Sequence, residues 1–135
     1  MITDEMLPAL QGAVPSALVT CNKEGIPNAT YISQVFYVSE SEVALSFQFF
    51  NKTVRNVREN PHASIKISHP EKLDMWELEI EFNRSETEGD LFDQMDMQLE
   101  AIASMTGMAD VFKLQAADVY KVHSVKKCDH LVKSS

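Results

Sequence analysis

The chain has 135 residues, 44% of them apolar, with only four glycines and five prolines. That suits one domain (1–135) with a real core and excludes a disordered or fibrous chain. The formal net charge of −8 argues against nucleic acid and against a membrane surface as general partners.

Thr3 is placed to cap a short helix running to Gln11, with Gly12 ending it. Met6, Leu7 and Leu10 share one face of that helix. Ser16 to Cys21 reads as a strand, and Asn22 to Pro27 as a turn in which Gly25 supplies positive φ. Asn28 to Val38 is rich in β-branched and aromatic residues and reads as one long strand. Ser39 to Glu42 is a hairpin turn, followed by a strand from Val43 to Phe49. Asn51 caps a helix that runs to Glu59, and Asn60-Pro61 stops it.

His62 to Ser68 alternates as a further strand. Met75 to Phe82 carries the cleanest pattern: Trp76, Leu78, Ile80 and Phe82 on one side, Glu77, Glu79 and Glu81 on the other. That is a half-buried antiparallel strand with a wet acidic face. Ser85-Glu86-Thr87-Glu88 matches a capping box, and Leu91, Met95, Leu99, Ile102 and Met105 follow at helical steps up to Gly107. Ala116 to Val125 closes the chain as a strand. The tally is six strands and three helices without βαβ alternation, which predicts a mainly β fold, a six-stranded antiparallel β-barrel with flanking helices.

The most informative stretch is Ala44 to Pro61, A-L-S-F-Q-F-F-N-K-T-V-R-N-V-R-E-N-P, an apolar strand that turns into a basic helix. A helix start presents free backbone N–H groups and the positive end of the macrodipole, so it attracts phosphate. Lys52 adds a point charge, and Ser46, Asn51 and Thr53 add donors. Alone, Lys52 would read as a solvated helix residue; flanked by Asn51 and Thr53 it reads as an anion site for a phosphorylated small molecule.

These pieces resemble the pyridoxamine 5′-phosphate oxidase-like superfamily of FMN-binding split barrels. The likeness is carried by P-S-A-L-V-T-C-N-K-E-G-I-P-N, by the strand from Thr30 to Val38, and by L-S-F-Q-F-F-N-K-T-V-R-N-V-R-E-N-P. The Ser85-Glu86-Thr87 helix start and the terminal D-V-Y-K-V strand are similar to one uncharacterised branch of it. The resemblance implies a homodimer with a flavin in each of two interface clefts. It implies that Thr30, Tyr31, Ile32 and Ser33 line the isoalloxazine, and that Ser46, Gln48, Asn51, Lys52 and Thr53 hold the ribityl phosphate. Two features depart from the pattern. Strand two carries no basic residue, and Thr53 stands where a second basic residue is expected beside Lys52. The chain also ends soon after its last strand, without the Arg- and His-bearing segment that grips pyridoxal phosphate in the true oxidases, so that oxidation is not the expected activity.

Other residues have plainer readings. Arg55 and Arg58 follow helical spacing on a polar face and read as surface charges. Tyr31 and Tyr37 read as barrel or interface packing. His62, His69, His123 and His130 show no ligand spacing, which leaves no expected metal site; His123, in the last strand, is the hardest to set aside. Cys21 and Cys128 form no CxxC motif, no segment has transmembrane length, and a reducing cytoplasm is the default. No Ser-His-Asp or Cys-His set and no paired carboxylates stand out, so catalytic residues are not assigned. Three functions follow: an FMN-dependent oxidoreductase on an unidentified small molecule, a non-catalytic flavin-binding or sensing module, or a haem-binding relative that takes a histidine as axial ligand. A deazaflavin is a further candidate in place of FMN.

Overall fold

The structure is a computed structural model and describes residues 1–11, 15–32, 34–47, 52–106 and 114–128. A turn of 3-10 helix, Asp4–Met6, leads into helix α1, Leu7–Leu10. Strands β1 (Ser16–Cys21), β2 (Pro27–Ile32), β3 (Phe36–Ser39) and β4 (Glu42–Phe47) follow, then helix α2, Lys52–Glu59. Strands β5 (His62–Ser68) and β6 (Met75–Glu86), helix α3 (Asp90–Thr106) and strand β7 (Ala116–Cys128) complete the order.

All seven strands belong to one sheet in the order β2-β1-β5-β6-β7-β4-β3, and every pairing is antiparallel. Flat, that sheet would hold its two edge strands about 29 Å apart, from six spacings of about 4.8 Å. Yet β2 and β3 are joined by residues 33–35 alone, a link that reaches at most about 15 Å between Ile32 and Phe36. The sheet therefore curls until its edges approach each other, which is the split-barrel form. The N-terminal segment packs into it: Ile2, Met6, Ala9 and Leu10 join Leu18, Ile65, Leu78, Ile80 and Tyr120 in the barrel core.

A second apolar cluster lies on the other face of the sheet. Met95 and Leu99 of α3 pack there against Phe36, Ala44, Ala117 and Val119. The two clusters explain the near-continuous burial at the start of β7, where every residue from Ala116 to Tyr120 is buried. Period-2 side chains there meet the core on one side and α3 on the other.

Several expectations need correction. Among the described residues the strand count is seven, not six, because the stretch from Asn28 to Val38 breaks. Ile32 packs toward the barrel core, and so does Val35, three residues on. That odd step slips the period-2 register. The Val35 N–H donates to the Leu10 carbonyl at 3.0 Å, and the chain passes from one edge of the sheet to the other. The capping box is not used. β6 runs on through Glu86, paired with Ala117, and α3 starts only at Asp90, after Gly89 at φ 101°. Thr3 makes no side-chain cap bond, and Gly12 lies outside the described residues. β7 extends to Cys128, past the expected Val125. The acidic face of β6 is as predicted, with Trp76, Leu78 and Ile80 buried opposite it.

Candidate functional site

The site proposed from sequence centres on the start of α2, and the structure shows how that helix is fixed. α2 packs across β1 and β2. Asn56 is buried, and its Nδ2 donates to Thr20 Oγ1 on β1 at 3.1 Å. Val57 enters the barrel core. At the far end the Asn60 N–H donates to the Asn56 carbonyl at 2.7 Å, and Asn60 Oδ1 accepts the His62 N–H at 3.2 Å, so the chain turns at Pro61 into β5. The Lys23 N–H in the β1–β2 turn donates to Glu59 Oε2 at 3.2 Å. The last turn of the helix is thus pinned on three sides, while its first turn, opening at Lys52, carries the N-terminal dipole.

Arg58, read from sequence as a surface charge, also belongs to this anchorage. Its guanidinium lies 4.5 Å from the centre of the Phe82 ring and donates to Ser85 Oγ at 3.0 Å. Ser85 in turn donates to Asp118 Oδ1, and Arg58 stands 3.9 Å from the same oxygen. Asp118 is buried, and that burial pushes its carboxyl above the ordinary range, against the opposing pull of Ser85 and Arg58. Tyr120, edge-on to Phe82 at 5.6 Å, has its phenol pushed up by burial and then by Asp118. Sequence reasoning passed over Asn56 and Asp118; the available signal was a polar residue inside each apolar stretch, V-R-N-V and A-A-D-V-Y.

The remaining residues named from sequence fall as follows. Thr30 and Ile32 on β2 are half-buried, opposite Leu18 and Ser16, whereas Tyr31 between them is 79% exposed. Alternate side chains of a strand leave on opposite faces, so these three do not converge as side chains. Among the described residues β2 pairs only with β1, which makes its outer side an edge of the sheet. Ser46 is half-buried on β4 opposite Ala117. Lys52 and Thr53 are the first two residues of α2. Ser33, Gln48 and Asn51 lie outside the described residues. The structure brings β2 and α2 side by side.

Three of the four histidines are described; His130 lies outside the described residues. His69 Nδ1 accepts the N–H groups of Glu71 and Lys72 in the β5–β6 turn. His62 and His123 approach on the outer face of the barrel, ring centres 6.5 Å apart, and His123 Nε2 lies 2.7 Å from Glu81 Oε1. That bond, foremost, holds the Glu81 carboxyl below the ordinary range. Among the described residues no group of three or more His, Cys, Asp or Glu is placed to hold a metal ion. Cys21 and Cys128 are free thiols, and no described helix is long and apolar enough to cross a membrane.

Comparison with known proteins agrees with this architecture. No curated protein matches the chain. An FMN-binding protein from Syntrophomonas wolfei superposes with a TM-score of 0.73 at 16% identity, over 92% of this chain and 86% of that one. An F420 reductase gives 0.64 at 10% identity, over 93% and 98%. HutZ, the haem storage protein of Vibrio cholerae, gives 0.61 at 17% identity, over 90% and 91%. At these identities the likeness is one of fold. The pyridoxamine 5′-phosphate oxidase family model matches residues 2–123, nearly the whole chain, which therefore belongs to the pyridoxamine 5′-phosphate oxidase-like family of split barrels.

Proposed function

We propose that this chain binds FMN and acts as a flavin-dependent oxidoreductase on a small molecule, as a cytoplasmic homodimer of single-domain subunits spanning 1–135. The observation that carries the reading is the packing of α2 against β1 and β2, held by the buried Asn56–Thr20 bond. A phosphate at the start of α2 meets free N–H groups and the charge of Lys52, with Ser46, Gln48, Asn51 and Thr53 supplying further donors. The ring then lies along β2. Because Tyr31 faces away from Thr30 and Ile32, the strand meets the ring mainly through its backbone edge at residues 30–32, with one side-chain face supporting it. A single lysine and one helix start suit one terminal phosphate better than a pyrophosphate. The chain also has no Gly-rich loop for a dinucleotide.

When bound, the flavin supplies the redox chemistry. The chain's part is to hold the phosphate, shield the ring and set the polarity at its edge, which fits a site without a nucleophile–base pair. Exposed Tyr31 and half-exposed Tyr37 support a second copy; Val35 and Phe36 are buried within the chain itself.

Haem in place of flavin is the second reading. Its support is the His123–Glu81 bond, since a carboxylate on one ring nitrogen raises the basicity of the other. The absorbance spectrum of the purified protein separates the readings. Flavin bands support the first, a Soret band the second, and a colourless protein that takes up neither added cofactor contradicts both.

A further inference from the structure

A cleft of about 260 Å³ opens between the end of α1, the β2–β3 link and one face of α3. Its floor is apolar: Leu10, Val35 and Met95 are each no more than 2% exposed. Apart from Tyr37, its polar side chains are amides. Gln11 comes from the end of α1, Gln34 from the link, and Gln94 and Gln98 from successive turns of α3. Among the described residues no Lys, Arg, His, Asp or Glu lines the cleft, although 24% of the chain is charged and α3 carries Asp90, Asp93, Asp96 and Glu100. Helical spacing puts Leu91, Gln94, Met95 and Gln98 on one face and leaves the carboxylates off it.

A carboxamide offers two donors and an acceptor without net charge. Gln34 Nε2 already donates to Gln98 Oε1 at 3.2 Å, so one pair of these amides meets without help from an ion. A ligand with its own amide can extend that pairing in kind. A carboxylate or ammonium would leave water here with no opposite charge to meet it, which is costly. The volume lies just under the range of about 300–1,000 Å³ usual for drug-sized ligands, which points to one or two rings.

We infer that this cleft binds a neutral small molecule of one or two rings bearing a carboxamide or lactam, and that its glutamines discriminate against the corresponding carboxylate. The inference is independent of the flavin reading. The anion site opens α2, which packs on β1 and β2, whereas this cleft is built from α1, the β2–β3 link and α3. Tyr37 stands at its rim, and a second copy seated there would narrow the mouth without supplying the floor.

The test is ligand-observed NMR on the full chain, with benzamide, 2-pyridone and benzoate as probes, titrated with and without FMN. Benzamide and 2-pyridone should bind, and benzoate at least tenfold more weakly. Gln98→Leu should weaken benzamide at least fivefold. Gln98→Arg should make benzoate the better ligand, and Gln94→Leu serves as a second variant should either of these fail to fold. FMN should displace neither neutral probe. Failure of both neutral probes to bind, equal binding of benzoate, no effect of the Leu substitutions, or displacement by FMN would each overturn the inference.

Discussion

The Asn56 amide donates to the Thr20 hydroxyl across 3.1 Å in the interior, so helix α2 is tied to strand β1 by a polar bond with no access to water. Removing one partner strands the other. Asn56→Ala is expected to cost about 1–3 kcal/mol of stability in urea unfolding. Thr20→Val should cost a similar amount, and the double variant less than the sum, because the bond is lost only once. Additive losses would show that the two groups are satisfied separately.

Asp118 makes a pH-dependent prediction. Burial raises its folded-state pKa above the ordinary 3.8, so the folded protein holds this proton more tightly than the unfolded chain. The resulting stability is present below the unfolded value and is lost as pH rises through the folded one. Asp118→Asn removes that dependence. Measured from pH 4 upward to pH 7, the variant should gain on the wild type as pH rises. A variant that keeps level with the wild type or falls further behind it as pH rises would show that Arg58 and Ser85 outweigh burial.

Gly89 joins β6 to α3 at φ 101°, and open space surrounds the position of an added Cβ. Gly89→Ala therefore isolates backbone strain, with an expected loss of about 1–2 kcal/mol. Thermal unfolding measures it, and an unchanged midpoint would show that the turn relaxes.

His123 separates the two cofactor readings. It is half-exposed, lies on β7 and is paired with Glu81, whereas α2 packs on β1 and β2. His123→Ala should leave FMN affinity within about twofold of wild type. If haem is the ligand, the same substitution should shift or abolish the Soret band.

Much of this fold was legible because two periodicities are strong. The alternation of Trp76, Leu78 and Ile80 against three glutamates marks β6 without ambiguity, and the apolar steps along α3 mark its buried face. What escaped depends on partners distant in sequence. The break between β2 and β3 shows only as a one-residue slip from Ile32 to Val35, easily read as continuous β-branched sequence. Ser85 looked like a helix cap, but its strand pairing with Asp118 won. Within the site, the basic start of α2 was legible as local chemistry. The Asn56–Thr20 and Arg58–Asp118 contacts were not, because they join residues 36 and 60 positions apart.

In the proposed function FMN is held through its phosphate at the start of α2. FMN is titrated into wild type and Lys52→Ala, following flavin fluorescence. Loss of one charge-assisted contact of about 1.5–3 kcal/mol predicts roughly ten- to hundredfold weaker binding in the variant. The absence of a second basic residue beside Lys52 leaves little to compensate. Equal affinities would show that the phosphate is held elsewhere, and no binding by the wild type would show a chain that keeps the barrel without the cofactor.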